Sequence, residues 1–209
     1  MATIVATGDG PTVGTAGRDV IVGTDGDDVI RGGGGDDQIC GLGGDDEVDG
    51  MGGDDIVEGG LGDDRITGGG NIDELDGGPG SDELRGAGGN DDLQGGDGSD
   101  ALIGGTGNDL GAGGDGPDLV DGSAGNDSFK GGDDDDELRG ATGNDRLDGE
   151  RGDDRLFGQA GGDRLSGGPG DDALHGGPGV NVLLGGPGRN SLYRASASKI
   201  SRSVGEPSA

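Results

Sequence analysis

Large apolar residues recur at every ninth position from Ile21 to Leu192, with one exception at Gly111. Polar residues flank most of them, as in "DDVIR", "DDRIT" and "SDELR". This alternation predicts short strands whose central residue points inward while its two neighbours face solvent. Gly14 to Tyr193 therefore divides into twenty nonapeptides without insertion or deletion, each a six-residue turn followed by a three-residue strand.

The positions of the nonapeptide with the most constant residue type lie in its six-residue turn. Position 1 is always Gly, position 6 is Asp in eighteen units, and position 4 is Gly in all but two. The two exceptions at position 4 are Asn71 and Asp134, and Asn and Asp are the residues that best tolerate a left-handed backbone after glycine. The pattern therefore predicts a positive φ at position 4.

A single nonapeptide is too small to fold alone, but two of them form an 18-residue coil. Stacked coils place two thin parallel sheets face to face across the position-8 side chains, so the predicted fold is an all-β solenoid of ten coils. The predicted organisation is an N-terminal lead-in or cap at 1–13, the repeat array at 14–193 and a flexible tail at 194–209. Gly111, in a core position, is expected to leave a hole or to draw Leu110 inward.

Composition changes this picture, because 59 of the 209 residues are Gly, 1% are aromatic and the formal net charge is -30. Such a chain stays disordered unless something outside the sequence completes its fold. The negative charge disfavours nucleic acid and anionic membranes as partners and favours cations. No segment has the length of a transmembrane helix, and no cleavable signal peptide is visible. Cys40 is the only cysteine, so it cannot form an intrachain disulfide.

The position-6 carboxylates provide the candidate cation sites. Because each coil contains two units, they fall into two columns. One column contains Asp19, Asp37, Asp55, Asp73, Asp91, Asp109, Asp127, Asp145 and Asp163, and ends at Asn181. The other contains Asp28, Asp46, Asp64, Asp82, Asp100, Asp118, Asp136, Asp154 and Asp172, and ends at Asn190. Ten turns in each column enclose nine gaps, so at most eighteen sites exist. Carboxylate and turn carbonyl oxygens suit calcium, whereas zinc and copper would need nitrogen or sulfur ligands.

Units such as "GGPGSDELR" and "GGPGDDALH" match the repeat G-G-x-G-x-D-x-U-x. The chain thus resembles the RTX, or hemolysin-type, calcium-binding repeat proteins. The resemblance implies a right-handed parallel β-roll in a secreted protein that is unfolded without calcium. It also implies that the eighteen aspartates bind Ca²⁺ together with turn carbonyls. Asn181 and Asn190 depart from the motif, so the last gap of each column lacks a second carboxylate.

The expected function is calcium binding by a secreted or cell-surface module that is not an enzyme, of structural, toxin or adhesin type. His175 is the only histidine and is expected at the surface, so no catalytic or zinc motif is recognised. Two alternatives remain open. One is a disordered acidic polyanion that buffers calcium or binds mineral, and the other is the calcium-binding appendage of a secreted hydrolase whose catalytic domain lies elsewhere. The sequence does not identify a protein or surface partner.

Overall fold

A computed structural model describes residues 2–7 and 10–193, and all regular secondary structure within them is β-strand, in two parallel sheets. The first sheet contains β1 (Ala2–Val5), β3 (Asp19–Val22), β5 (Gln38–Gly43), β7 (Ile56–Leu61), β9 (Glu74–Pro79), β11 (Asp92–Asp97), β13 (Leu110–Asp115), β15 (Ser128–Asp133), β17 (Arg146–Arg151), β19 (Arg164–Ser166) and β21 (Val182–Leu184). The second contains β2 (Thr12–Val13), β4 (Val29–Gly34), β6 (Glu47–Gly52), β8 (Arg65–Gly70), β10 (Glu83–Gly88), β12 (Ala101–Thr106), β14 (Leu119–Ala124), β16 (Glu137–Arg139), β18 (Arg155–Phe157), β20 (Ala173–His175) and β22 (Ser191–Tyr193).

The pairing register follows the 18-residue coil. Leu84 in β10 lies opposite Ile66 in β8 and Leu102 in β12, each 18 residues away along the chain. Successive strands alternate between the two sheets, so each coil contributes one strand to each sheet. The prediction of an all-β parallel solenoid is therefore confirmed.

A single row of position-8 side chains forms the core between the sheets. Eighteen of these side chains, from Ile21 to Leu183, are at most 1% exposed. Ile4 and Leu192 pack against the two ends of the row and are partly buried. The alternation of apolar and polar residues thus predicted the inward face correctly.

Two details differ from the prediction. Most strands up to Arg151 span six residues instead of three, because pairing continues through positions 2 and 3 of the next unit, as between Ala87 and Gly105. Each sheet also holds eleven strands within the described residues, one more than ten coils require. The additional strands are β1 and β2, which lie in the segment 1–13 expected to be a lead-in. The tail predicted at 194–209 lies outside the described residues.

The core position occupied by Gly111 is filled by a neighbour. Leu110 is 53% exposed, so it has not moved inward. A Cβ added to Gly111 would lie 2.3 Å from the carbonyl oxygen of Leu93 and 2.8 Å from Cε1 of Phe129, the core residue of the next coil in the same sheet. Phe129 is 1% exposed and its larger ring occupies the space that a Leu at position 111 would need. The expectation of a hole, or of an inward Leu110, was therefore wrong.

Left-handed backbone occurs at two turn positions. Asn71 and Asp134 at position 4 have φ values of 83° and 85°, as predicted. Position 2 also has a positive φ in eighteen of the twenty units, including non-glycine residues such as Leu42 (84°) and Glu150 (68°). Sequence analysis did not predict the positive φ at position 2, since this position accepts many residue types. No helix long and apolar enough to cross a membrane occurs among residues 2–7 and 10–193.

Candidate metal centre

The eighteen position-6 aspartates are buried in two columns, one on each side of the core. Each of them is at most 4% exposed, and Asn181, which ends one column, is fully buried. Burying carboxylates without cationic partners costs several kcal/mol per charge even after relaxation. The described ion pairs involve other acidic residues at the surface, such as Glu83 with Arg65 and Glu137 with Arg155. The buried columns therefore need another source of compensation.

One oxygen of each carboxylate from Asp37 onward has a structural role. The backbone N–H of Asp73 donates to Oδ1 of Asp91 at 3.0 Å, and the N–H of Asp91 donates to Oδ1 of Asp109 at the same distance. This pattern links each turn to the turn 18 residues later and reaches Asn181 and Asn190 at the ends. Oδ1 thus fixes the position and orientation of the side chain in each turn.

The second oxygen is left without a partner. Sixteen Oδ2 atoms are buried and have no hydrogen-bond partner in the described structure. They belong to Asp37, Asp46, Asp55, Asp64, Asp73, Asp82, Asp91, Asp100, Asp109, Asp118, Asp127, Asp136, Asp145, Asp154, Asp163 and Asp172. Only the first aspartate of each column differs. Oδ2 of Asp19 accepts a 2.6 Å hydrogen bond from the N–H of Thr15, and Oδ2 of Asp28 accepts one of equal length from Thr24.

Burial of these carboxyl groups changes their titration. Desolvation is the largest cause and raises the pKa to about 7 at Asp73, Asp82, Asp127 and Asp136. It raises the pKa to about 6 at Asp46, Asp55, Asp91, Asp118, Asp145, Asp154 and Asp172. The N–H bond to Oδ1 opposes this rise, whereas nearby aspartates add to it in most turns. At Asp19 the N–H of Thr15 instead lowers the pKa. Without a cation, the interior turns therefore disfavour the charged form of their own aspartates.

The glycine at position 1 keeps space open beside each unpaired oxygen. A Cβ on Gly41 would lie 2.2 Å from Oδ2 of Asp46 and 2.5 Å from the carbonyl oxygen of Gly59 in the next coil. Gly95 shows the same arrangement, with Oδ2 of Asp100 at 2.4 Å and the Gly113 carbonyl at 2.5 Å from the added atom. Two oxygen acceptors thus converge on a volume that any other side chain would fill.

Asn181 and Asn190, which end the columns, show which main-chain group lies opposite the second side-chain atom at position 6. Oδ1 of Asn181 accepts the N–H of Asp163, as the aspartate Oδ1 atoms do in other turns. Its Nδ2 therefore takes the place of the aspartate Oδ2, and it donates a 3.0 Å hydrogen bond to the carbonyl oxygen of Gly177 at position 2. Asn190 makes the same bond to Gly186. By comparison, an aspartate in this position directs a carboxylate oxygen towards a carbonyl oxygen, an arrangement that a cation would stabilise.

These donors fit calcium. They consist only of carboxylate and main-chain carbonyl oxygens, the ligands that hard cations such as Ca²⁺ prefer. No group of three or more His, Cys, Asp or Glu side chains within residues 2–7 and 10–193 is placed to hold a metal ion. Sequence analysis expected turn carbonyls as further ligands without assigning particular ones, and the carbonyl oxygens of Gly59 and Gly177 lie beside position-6 side chains.

His175 lies apart from these columns, at outward position 9 of β20. It is stacked between Phe157 and Tyr193, with ring centroids 5.0 Å and 4.2 Å away. Sequence analysis placed His175 outward but missed the stack, although the 18-residue spacing of the three residues signals it. The stack joins the last three strands of the second sheet.

The chain matches the family of the RTX calcium-binding nonapeptide repeat in successive segments. The matched residues are 13–48, 41–75, 76–111, 103–138, 112–147, 130–174 and 157–192. A comparison with curated proteins gave no match. The matched segments together span residues 13–192 without a break, which is most of the chain. The chain therefore belongs to the RTX calcium-binding nonapeptide-repeat family.

Proposed function

We propose that this protein is a secreted, non-catalytic module that folds when its turns bind calcium. The observation that carries the proposal is the set of sixteen buried Oδ2 atoms without a hydrogen-bond partner. A native fold rarely leaves a buried polar atom unpaired, and such an atom points to an ion or water that completes it. The match to calcium-binding repeats supports calcium as that ion.

Each residue of the turn has a distinct role in this proposal. The backbone N–H of the preceding turn holds Oδ1, as between Asp73 and Asp91, so Oδ2 has a fixed orientation in the folded turn. Glycine at position 1 leaves room beside Oδ2, and the left-handed position 2 presents its carbonyl to the same side chain, as Asn181 shows with Gly177. Bound calcium would supply positive charge and accept these oxygens as ligands. The turns thus orient ligands that repel one another when no ion is present.

Secretion and a structural role are the finer parts of the proposal. Extracellular calcium modules bind with dissociation constants of about 10⁻⁴–10⁻³ M, which cytosolic calcium does not approach. A chain with a formal charge of -30 and a core one side chain wide would then remain unfolded inside the cell and fold outside it. RTX repeats are typical of secreted proteins, and a solenoid is typical of spacers and surface elements, which supports this location and role.

Calcium titration of the whole chain tests the proposal. We expect calcium chloride to produce a cooperative gain of β signal in circular dichroism and a sharp fall in the radius of gyration in small-angle scattering. Magnesium at equal concentration is the control for ionic strength, and it should be much less effective because it demands octahedral geometry and keeps several waters. Calcium binding without a change in either signal would instead support a disordered polyanion, and an absence of binding would refute the proposal.

A pair of neighbouring aspartates sharpens the test. Asp91 lies in a column with its Oδ2 unpaired, whereas Asp92 lies at outward position 7 and accepts a hydrogen bond from Gln94. Asp91→Ala and Asp92→Ala remove the same charge one residue apart. We expect only Asp91→Ala to raise the midpoint of the calcium titration clearly. Equal shifts would show that the total charge, and not the turn, determines binding.

A further inference from the structure

We propose that Thr15, Thr24, Asn181 and Asn190 end the two calcium columns by replacing the ion with hydrogen bonds. This inference rests on the proposed function and specifies which turns take part in it. The first two turns and the last two turns of the array would then fold without binding calcium. The sixteen turns between them would hold all the ions.

The twenty turns fall into three kinds. In eighteen of them position 2 has a positive φ, from Gly33 to Gly186, and the same turns have a positive φ at position 4. The first two turns have neither feature, and their position 2 is Thr15 or Thr24. Among the eighteen left-handed turns, sixteen contain an aspartate with an unpaired Oδ2 and the last two contain Asn181 or Asn190.

Threonine explains the first kind of turn. It is β-branched, and a β-branched residue with positive φ is a genuine outlier, so Thr15 and Thr24 keep the ordinary backbone. In that conformation the N–H at position 2 points to the aspartate of its own turn. The N–H of Thr15 reaches Oδ2 of Asp19 and the N–H of Thr24 reaches Oδ2 of Asp28, both at 2.6 Å. The Thr24 hydroxyl also donates to Asp28 Oδ2 at 2.9 Å.

Asparagine accounts for the third kind of turn, which comprises the last two turns of the array. These two turns keep the left-handed backbone of the interior turns, with φ values of 75° at Gly177 and 80° at Gly186. Their side-chain Oδ1 atoms still accept the N–H of Asp163 and Asp172. The Nδ2 group donates to the position-2 carbonyl, so one neutral amide satisfies both sides of the gap. An ion in the same place would meet a hydrogen-bond donor instead of an acceptor.

The two kinds of end turn use different hydrogen-bond donors. The N-terminal turns use the main-chain N–H of threonine, and the C-terminal turns use the side-chain amide of asparagine. Both satisfy the hydrogen-bonding groups that face the gap in the end turns. The number of ions is then set by the sixteen unpaired Oδ2 atoms, two fewer than the eighteen gaps between stacked turns. Ions are confined to turns that have a further coil on both sides, where they are shielded from solvent.

The double variant Asn181→Asp/Asn190→Asp tests the C-terminal half of the inference. We expect the calcium-loaded chain to bind two more ions than the wild type, counted by native mass spectrometry and by equilibrium dialysis with calcium chloride. When calcium is withdrawn stepwise, the same variant should lose hydrogen-exchange protection around Val182–Leu184 at a higher calcium concentration than the wild type does, because its carboxylates no longer donate to Gly177 and Gly186. An unchanged ion count with a folded chain would overturn this half of the inference.

The reverse substitution is the matched control. Asp91→Asn/Asp100→Asn places the same amide in two interior turns and should lower the ion count by at least two while the chain still folds with calcium. Thr15→Gly/Thr24→Gly should raise the count by two, because glycine permits the left-handed turn that frees Oδ2 of Asp19 and Asp28. An unchanged count in either variant overturns the corresponding step. Failure of every chain, including the wild type, to bind calcium would refute the proposed function itself.

Discussion

At the residue scale, the glycine at position 1 does more than permit a turn. Within β6, Gly50 and Gly52 lie two residues apart and differ in their surroundings. A Cβ on Gly50 would lie 2.5 Å from Oδ2 of Asp55 and 2.7 Å from the Gly68 carbonyl, whereas a Cβ on Gly52 meets nothing within 4 Å. The same chemical change should therefore have opposite effects at the two positions.

We expect Gly50→Ala to destabilise the calcium-bound fold by about 1–3 kcal/mol, because the methyl group overpacks the turn and blocks the ion. Gly52→Ala should be neutral or stabilising by about 0.4–1 kcal/mol, since alanine restricts the unfolded chain more than glycine does. Denaturant unfolding in saturating calcium measures both changes. Similar losses in the two variants would show that position 1 is not special.

Gly111 and Phe129 form a compensating pair at the same scale. Gly111→Leu alone should destabilise the fold by about 1–3 kcal/mol, because its Cβ approaches the Leu93 carbonyl and its side chain enters the space of the Phe129 ring. Phe129→Leu alone should also destabilise it, since it leaves a cavity over Gly111. The double variant should lose less than the sum, with a coupling of about 0.5–3 kcal/mol, which a double-mutant cycle in saturating calcium measures. Simple additivity would mean that the two residues do not share one space.

At the scale of the element, each strand gains cross-strand contacts only from the strands 18 residues away. Phe157, His175 and Tyr193 occupy the outward position 9 of β18, β20 and β22, and their rings stack across all three strands. Aromatic pairs of this kind contribute about 0.5–1.5 kcal/mol each beyond their buried area. The stack therefore stabilises the last strands of the second sheet, which have few neighbours.

We expect His175→Ala to separate the two remaining rings and to weaken the end of the second sheet by about 1–3 kcal/mol, the sum of two such pairs. Tyr193 is the only tyrosine, so its near-ultraviolet circular dichroism reports on this end alone. Ser166→Ala, at the same outward position of the first sheet, is the control. A His175→Ala chain whose Tyr193 signal melts together with the wild type would contradict a stabilising stack.

At the scale of the whole molecule, the stacked carboxylates link folding to pH. Without calcium, eleven of them have pKa values of about 6–7 in the fold, above the ordinary value of about 3.9 for an unfolded aspartate. The folded chain then binds more protons than the unfolded chain between about pH 4 and pH 7. The calcium-free fold is consequently most stable at low pH and loses stability as the pH rises through this range.

Small-angle scattering in a calcium chelator should therefore show compaction when the pH falls from 8 to 5.5, above the range in which ordinary aspartates titrate. With calcium present, the same acidification should raise the calcium midpoint, because protons compete for the carboxylates. The Asp91→Asn/Asp100→Asn variant should need less acid to compact. Expansion on acidification, or no change above pH 5, would show that burial does not shift these groups.

The nine-residue period alone was enough to predict the parallel sheets, the register and the inward row of Ile21 to Leu183. It was also enough to place the eighteen aspartates in columns, because stacking follows directly from two units per coil. Contacts between coils were harder to anticipate. Phe129 covers Gly111 because the two meet only through the 18-residue stacking, and Leu42 adopts a left-handed backbone that its own residue type disfavours. Such features depend on the neighbouring coil, and a residue considered within its own repeat does not reveal them.

The 18-residue ladder also has a mechanical consequence. Hydrogen bonds between coils, such as those linking β10 to β12, are directed from each coil to the next. Tension applied between the first and last coils therefore loads these bonds in series, so the coils peel away singly from the ends, where each has one neighbour. Each detached coil lengthens the chain by about 60 Å, at roughly 3.3–3.6 Å per extended residue. A chain pulled in this way would therefore lengthen one coil at a time, and the proposed calcium binding would set the force that each step requires.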